Sequence, residues 1–212
     1  MKQMIKALWF GSVASLMCFL AAAHADVIDF DSQGLFGPPY FADAGPAQTI
    51  SVTTSVGLVT FEGGVILTAE DGNANTTSVY ATGHIFDLTN IITIAFPAVT
   101  SNFSITVGND EPFSATYVLA NSMGTSQSVA LAMHTATQVI IPSVGTMITI
   151  SAVIDHPGSW DFSIDNISFE AIPEPSALSL LVLSMAMMAL SVICNTRLPL
   201  LRRHANIRFS PF

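Results

Sequence analysis

Fourteen of the fifteen Asp and Glu residues fall between Asp26 and Ile172; the remaining one is Glu174. None of the six basic residues falls there, since Lys2, Lys6, Arg197, Arg202, Arg203 and Arg208 all lie outside that stretch. These 147 residues (172 − 26 + 1) therefore carry −14 with histidines neutral, where a domain of that length ordinarily holds roughly 15 Lys and Arg. Carboxylates without cationic partners repel one another, and bound Ca²⁺, a hard cation that takes oxygen ligands, would relieve the repulsion. The same absence excludes a phosphate-clamping surface, hence nucleic-acid binding, and removes P-loop and Schiff-base lysine chemistry. The local segment richest in oxygen donors is Asp71-Gly72-Asn73-Ala74-Asn75, spaced like the start of an EF-hand loop. Thr76 stands where the loop glycine belongs and Thr82 where the bidentate glutamate belongs, so the segment reads as an Asx-rich turn.

Catalytic constellations are not apparent, and the chain reads as a non-enzyme. His84, His134 and His156 show no metal-ligand spacing, and no Gly-x-Ser-x-Gly elbow occurs. Asp110-Glu111 and Glu70-Asp71 are adjacent acids that read as solvated turns, although carboxylate pairs of the glycosidase kind are spatial and leave no sequence spacing. Recognition of a sugar needs exposed aromatic rings beside polar groups. Trp160, the one tryptophan of the 26–172 stretch, lies between His156-Pro157-Gly158 and Asp161 and is the leading candidate. Tyr40 and Phe41 follow Gly37-Pro38-Pro39 and are expected to project as well.

The elements that must position these groups are strands. β-Branched and aromatic residues recur in short runs bounded by Gly, Asn, Asp and Pro, with no long helical period. The runs predict strands at Val27–Phe30, Gln48–Thr53, Leu58–Phe61, Val65–Thr68, Ser78–Ala81, Ile91–Phe96, Phe103–Val107, Ala115–Leu119, Gln127–Met133, Gln138–Ile141, Met147–Ile154 and Phe162–Phe169. Glu62-Gly63-Gly64 is expected to form a hairpin turn, as are Asn121–Gly124 and Thr135–Thr137. The fold class is all-β, a single β-sandwich or jelly-roll-like domain over 26–172. It contains no cysteine, so its core alone, or its core with a metal, must hold it.

The two ends of that domain, Ile28-Asp29-Phe30-Asp31 and Phe162 to Phe169, resemble the first and last strands of galactose-binding-like jelly rolls. The resemblance implies that these ends lie close together and that Asp29, Asp31 and Asp165 are candidates for a structural Ca²⁺ site. Strict alternation along 162–169 would put Phe162, Ile164, Asn166 and Ser168 on one face, and Ser163, Asp165, Ile167 and Phe169 on the other. Asp165 then shares a mixed face and reads first as a satisfied strand carboxylate, with the Ca²⁺ ligand as the alternative.

The flanks concern destination. Residues 1–25 have two lysines, an uncharged apolar run from Ala7 to Ala22, and small residues Ala23 and Ala25 at the −3 and −1 positions. This is the pattern of a signal peptide cleaved by signal peptidase before Asp26. Ser176 to Cys194 is a 19-residue uncharged, mostly apolar run, long enough to cross a hydrocarbon core of about 30 Å as a transmembrane helix. Arg197, Arg202 and Arg203 follow it and Pro173-Glu174-Pro175 precede it. The basic flank orients that end toward the cytoplasm. Over 173–212 this order is similar to the PEP-CTERM sorting signal of exported proteins in Gram-negative bacteria. The resemblance implies recognition of Pro173, Glu174 and Pro175 by an exosortase-type membrane protease, with Arg197, Arg202 and Arg203 as the basic stop. It also implies a transient inner-membrane intermediate, followed by release to the cell surface or medium. The expectation is an exported cell-surface or matrix protein, structural or adhesive, associated with exopolysaccharide in a biofilm matrix. The alternatives are a calcium-supported carbohydrate-binding module and, behind it, a surface hydrolase. No cofactor other than Ca²⁺ is suggested.

Overall fold

The computed structural model describes residues 25–68, 77–83, 89–153, 161–172 and 184–188. The chain divides into two compact units, 23–172 and the two flanks 1–22 with 173–212. Of the flanks, 184–188 is helical, with Met185, Met187 and Met188 exposed. The sorting motif Pro173-Glu174-Pro175, the basic residues Arg197, Arg202 and Arg203, residue Ala23, and most of 176–194 lie outside the described residues. Among the described residues no helix is long and apolar enough to cross a membrane.

The described residues of unit 23–172 form nine antiparallel strands and one helical turn. They are β1 (Ala25–Ile28), α1 (Phe41–Ala44), β2 (Gln48–Thr54), β3 (Gly57–Thr68), β4 (Ser78–Thr82), β5 (Ile91–Asn109), β6 (Ala115–Asn121), β7 (Ser126–Leu131), β8 (Ala136–Val153) and β9 (Phe162–Ala171). The strand order is β1-β9-β4-β3-β5-β8-β6-β7, with β2 on β3. β9 also pairs with β5, which folds the path back on itself into a sandwich-like assembly. Apolar side chains of all nine strands meet in its interior, where Phe30, Phe61 and Tyr80 pack ring to ring, as do Phe96, Phe103 and Phe169.

Three of the nine strands fuse pairs of shorter predicted runs, which corrects the expected count. The predicted hairpin at Glu62-Gly63-Gly64 does not reverse the chain, since β3 continues through it. Gly63 takes φ +95°, and a Cβ there would stand 2.1 Å from the Ile91 carbonyl oxygen. The strand bends at that point and passes from pairing with β2 and β5 to pairing with β4. β5 does the same near Pro97 and Asn102 (φ +49°), and β8 near Gly145 (φ +69°). Residues 91–95 of β5 pair with 147–151 of β8, whereas 100–108 pair with 136–145. Turn residues thus serve here as corners inside strands that run from one layer into the other. The predicted turn at Asn121–Gly124 is present, closed by the Gly124 N–H donating to the Asn121 carbonyl at 3.1 Å. The one predicted at Thr135–Thr137 sits slightly earlier, around His134, whose φ is +50°.

Candidate functional site

β9 has β5 along one side, and two short strands share the other. β4 pairs with Phe162, Ser163 and Ile164, and β1 pairs with Ile167 through Glu170. The interval between them contains Asp165 and Asn166. Pairing with β5 shifts there too: Ser168 faces Ser104 but Asp165 faces Thr106, so β9 has one residue more than its partner. Asn166, at φ +48°, absorbs the extra residue as a bulge. The bulge overturns the expected alternation. Phe162 and Ile164 before it and Ile167 and Phe169 after it all enter the core, while Asn166 is exposed.

The end of β1 and the start of β4 converge on this bulge. Phe30, fully buried, takes φ +53°, and the Asp31 N–H donates to the Asp29 carbonyl oxygen at 2.5 Å, so the chain turns sharply with an acid on either side. The Ser78 N–H at the head of β4 donates to both Asp31 carboxylate oxygens, at 3.0 and 3.1 Å. Asp29 Oδ1 accepts from the Ser32 N–H at 2.7 Å. Asp165, 3% exposed, accepts at Oδ2 from the Thr77 hydroxyl at 3.4 Å and the Asn166 amide at 3.0 Å. Burial, together with the negative charges of Asp31 and Asp29, pushes the Asp165 carboxyl up to about 7 against the pull of its hydrogen bonds.

The structure therefore brings Asp29, Asp31 and Asp165 into one electrostatic neighbourhood. The oxygens named above are turned to N–H and O–H donors. Among the described residues no group of three or more His, Cys, Asp or Glu is arranged to hold a metal ion. As placed, the trio is a hydrogen-bonded acid cluster and not a ligand cage.

An anchored aromatic segment adjoins this cluster. The Gly37 N–H donates to Thr68 Oγ1 at 3.1 Å, and the Thr68 N–H donates to the Pro38 carbonyl at 3.1 Å. Thr68 Oγ1 in turn lies 3.4 Å from Ser78 Oγ, the residue whose N–H holds Asp31. Gly37 sits so close to β3 that a Cβ would stand 1.9 Å from the Ile66 carbonyl oxygen. Leu35 packs against the main core, and Phe41 packs with Ala44 against Val65, Leu67, Val79 and Ala81. Between these inward anchors Phe36 and Tyr40 point outward, 69% and 62% exposed. Tyr40 thus projects as expected, whereas Phe41 does not. Phe36 was missed by reading the sequence, although an aromatic residue beside Gly37-Pro38-Pro39 is the signal that would have found it.

A second acid group differs from its expected character. Asp110-Glu111 was expected to be a solvated turn, yet Glu111 is 2% exposed and its carboxylate accepts from the Asp161 N–H at 2.7 Å. Buried Asn109 organises the neighbourhood. Its amide nitrogen donates to the carbonyls of Phe113 (2.8 Å) and Ala132 (2.9 Å), while its oxygen accepts from the Tyr117 hydroxyl at 2.8 Å. Burial, reinforced by the charges of Asp110, Glu111 and Asp161, raises the Tyr117 hydroxyl well above the usual phenol range. These bonds tie the β5–β6 connection to β7 and to the start of β9.

Trp160, His84, His156 and the Asp71–Asn75 turn lie outside the described residues. No protein-family model matches the chain, and no curated protein matches it. Among solved structures it is similar to a xylan-binding domain of carbohydrate-binding module family 22, at 15% identity over 71% of this chain and 96% of that one, TM-score 0.35. It is also similar to a family 35 module from Cellvibrio japonicus Abf62, at 14% identity over 69% and 92%, TM-score 0.36. A third is a family 36 module in complex with calcium and xylotriose, at 17% identity over 68% and 98%, TM-score 0.30. At these scores and identities the likeness is remote and assigns nothing to this chain.

Proposed function

We propose that residues 26–172 act outside the cell as a non-catalytic module that binds neutral polysaccharide. In this reading signal peptidase cleaves after Ala25, and the PEP-CTERM-like segment then delivers the module through an exosortase-type protease. The observation that carries the binding reading is the pair of exposed rings, Phe36 and Tyr40, on a segment held by hydrogen bonds to the main chain and the hydroxyl of Thr68. Sugar rings offer C–H faces that stack on aromatic rings, and a platform already fixed before binding loses little conformational entropy when the ligand arrives. The charge of the module, −14 with no basic residue, repels uronic-acid polymers and leaves neutral chains as the class of ligand. Such binding would hold the protein within an exopolysaccharide matrix, which is the structural or adhesive role expected of it.

Affinity electrophoresis through gels containing neutral glucan, xylan or mannan, with alginate as the anionic control, tests this. At least one neutral polymer is expected to retard the protein, and alginate is not. Tyr40→Ala and Phe36→Ala should each weaken binding by about tenfold, or 1.4 kcal/mol. Neither should lower Tm, because both side chains are exposed. Undiminished binding by the double variant would overturn the assignment of the surface. Calcium enters this reading as a stabiliser only. A divalent cation beside Asp29, Asp31 and Asp165 would have to displace the proton on Asp165 and compete with the donors from Ser32, Thr77, Ser78 and Asn166.

A further inference from the structure

We infer that β7 is a docking edge for a second copy of this chain. Among the described residues β7 pairs with β6 alone, in an unbroken register from Ala115↔Leu131 to Ala120↔Ser126. The hairpin is closed by the Asn121 N–H donating to the Thr125 carbonyl at 3.0 Å. Antiparallel pairs alternate, so Gln127, Val129 and Leu131 bond to β6, while Ser126, Ser128 and Ala130 turn their N–H and C=O groups away from it. Those three residues are exposed. A row of outward main-chain donors and acceptors is a template for another strand.

The other edges are each blunted by a recognisable device. β1 has four residues and bears Asp26, whose carboxylate accepts from the Ser55 hydroxyl at 2.7 Å. β2 is broken by a register shift between Gln48 and Ile50, and its Gln48 carbonyl accepts from the Tyr80 hydroxyl at 2.7 Å. The 136–145 stretch of β8 contains Pro142. β7, Ser-Gln-Ser-Val-Ala-Leu, has no proline, no charge and no bulge.

Charge distribution singles out the same edge. From Pro112 to Ile154, 43 consecutive residues (154 − 112 + 1), there is no Asp, Glu, Lys or Arg. This stretch contains β6, β7 and β8 entire. The 14 carboxylates that make copies of the module repel one another all lie before or after it in sequence, so the β7 edge strand and its neighbours β6 and β8 carry no charge of their own. The partner that fits is therefore this chain itself: two β7 strands, antiparallel about a two-fold axis, exchange the bonds of Ser126, Ser128 and Ala130 in a closed, self-complementary contact. Presenting two Phe36–Tyr40 surfaces on one particle would follow, and it would raise avidity for a repeating polymer.

Sedimentation equilibrium of the full chain in density-matched detergent tests the inference. The wild type is expected to dimerise. Ser128→Pro removes an outward N–H and no internal bond, and Ser126→Glu/Ser128→Glu sets like charges across the two-fold. Each should raise the dimer Kd by about a hundredfold with the far-UV circular dichroism unchanged. If Ser128→Pro fails to fold, the double glutamate variant decides alone. A monomeric wild type, or a dimer that persists in folded edge variants, overturns the inference.

Discussion

Asp165 is where the acid surplus becomes a measurable property. Its carboxyl moves from an ordinary 3.8 to about 7 on folding. Between those values the folded protein holds a proton that the unfolded chain has released, so stability falls as pH rises through that window and is full below it. Asp165→Asn removes the titration while keeping the side-chain size. Thermal unfolding should show the variant more stable than the wild type at pH 8, with the difference shrinking toward pH 4. Equal Tm values at pH 8 would contradict the burial and charge argument. Added Ca²⁺ at pH 8 serves as an internal comparison. If the cation sits at this cluster, it raises the wild-type Tm and leaves Asp165→Asn unmoved. An unchanged wild-type Tm removes calcium from the account. At this scale Asp29, Asp31 and Asp165 were grouped by the resemblance of the two ends to jelly-roll terminal strands, and in the structure the charges of Asp29 and Asp31 do act on Asp165. The sequence did not show how. The left-handed Phe30 and the bulge at Asn166 depend on which strands lie on either side of β9, and no local pattern records that.

At the scale of elements, the same residues that signal a turn also make a corner. Gly63-Gly64, Pro97 with Asn102, and Gly145 each lie between two apolar runs, and each run was correctly read as strand. Whether the chain reverses or merely bends at such a point is decided by long-range pairing, here by β5 crossing β3 at Thr60–Glu62 and by β4 beyond it. Gly63→Ala and Gly124→Ala separate the two uses. Both glycines have positive φ, but a Cβ at 63 meets the Ile91 carbonyl at 2.1 Å, whereas at 124 it meets nothing within 4 Å. Gly63→Ala is expected to destabilise by about 2 kcal/mol or more and Gly124→Ala by about 1 kcal/mol, read as the shift in denaturant midpoint at constant m-value. Equal shifts would mean that position 63 relaxes as freely as a hairpin tip. The alternation expected for β9 failed for a related reason, because one bulge inverts every facing downstream of it.

At the scale of the molecule, composition was the most legible feature. The separation of all basic residues into the flanks, and the run of β-rich segments between them, anticipated an antiparallel sandwich-like domain with its own core. The proposed binding surface was only half legible: the projection of Tyr40 was anticipated and that of Phe36 was not, because exposure depends on which neighbouring ring the core accepts. The functional reading depends on the module reaching the outside of the cell. Intact-mass measurement of the protein recovered from membranes and from medium tests that most directly, with a Pro173→Ala/Glu174→Ala/Pro175→Ala variant beside it. The account predicts a wild-type species that begins at Asp26 and lacks the 176–194 segment, and a variant that keeps that segment and stays in the inner membrane. Wild-type protein that retains 176–194 in every fraction, indistinguishable from the variant, would contradict it.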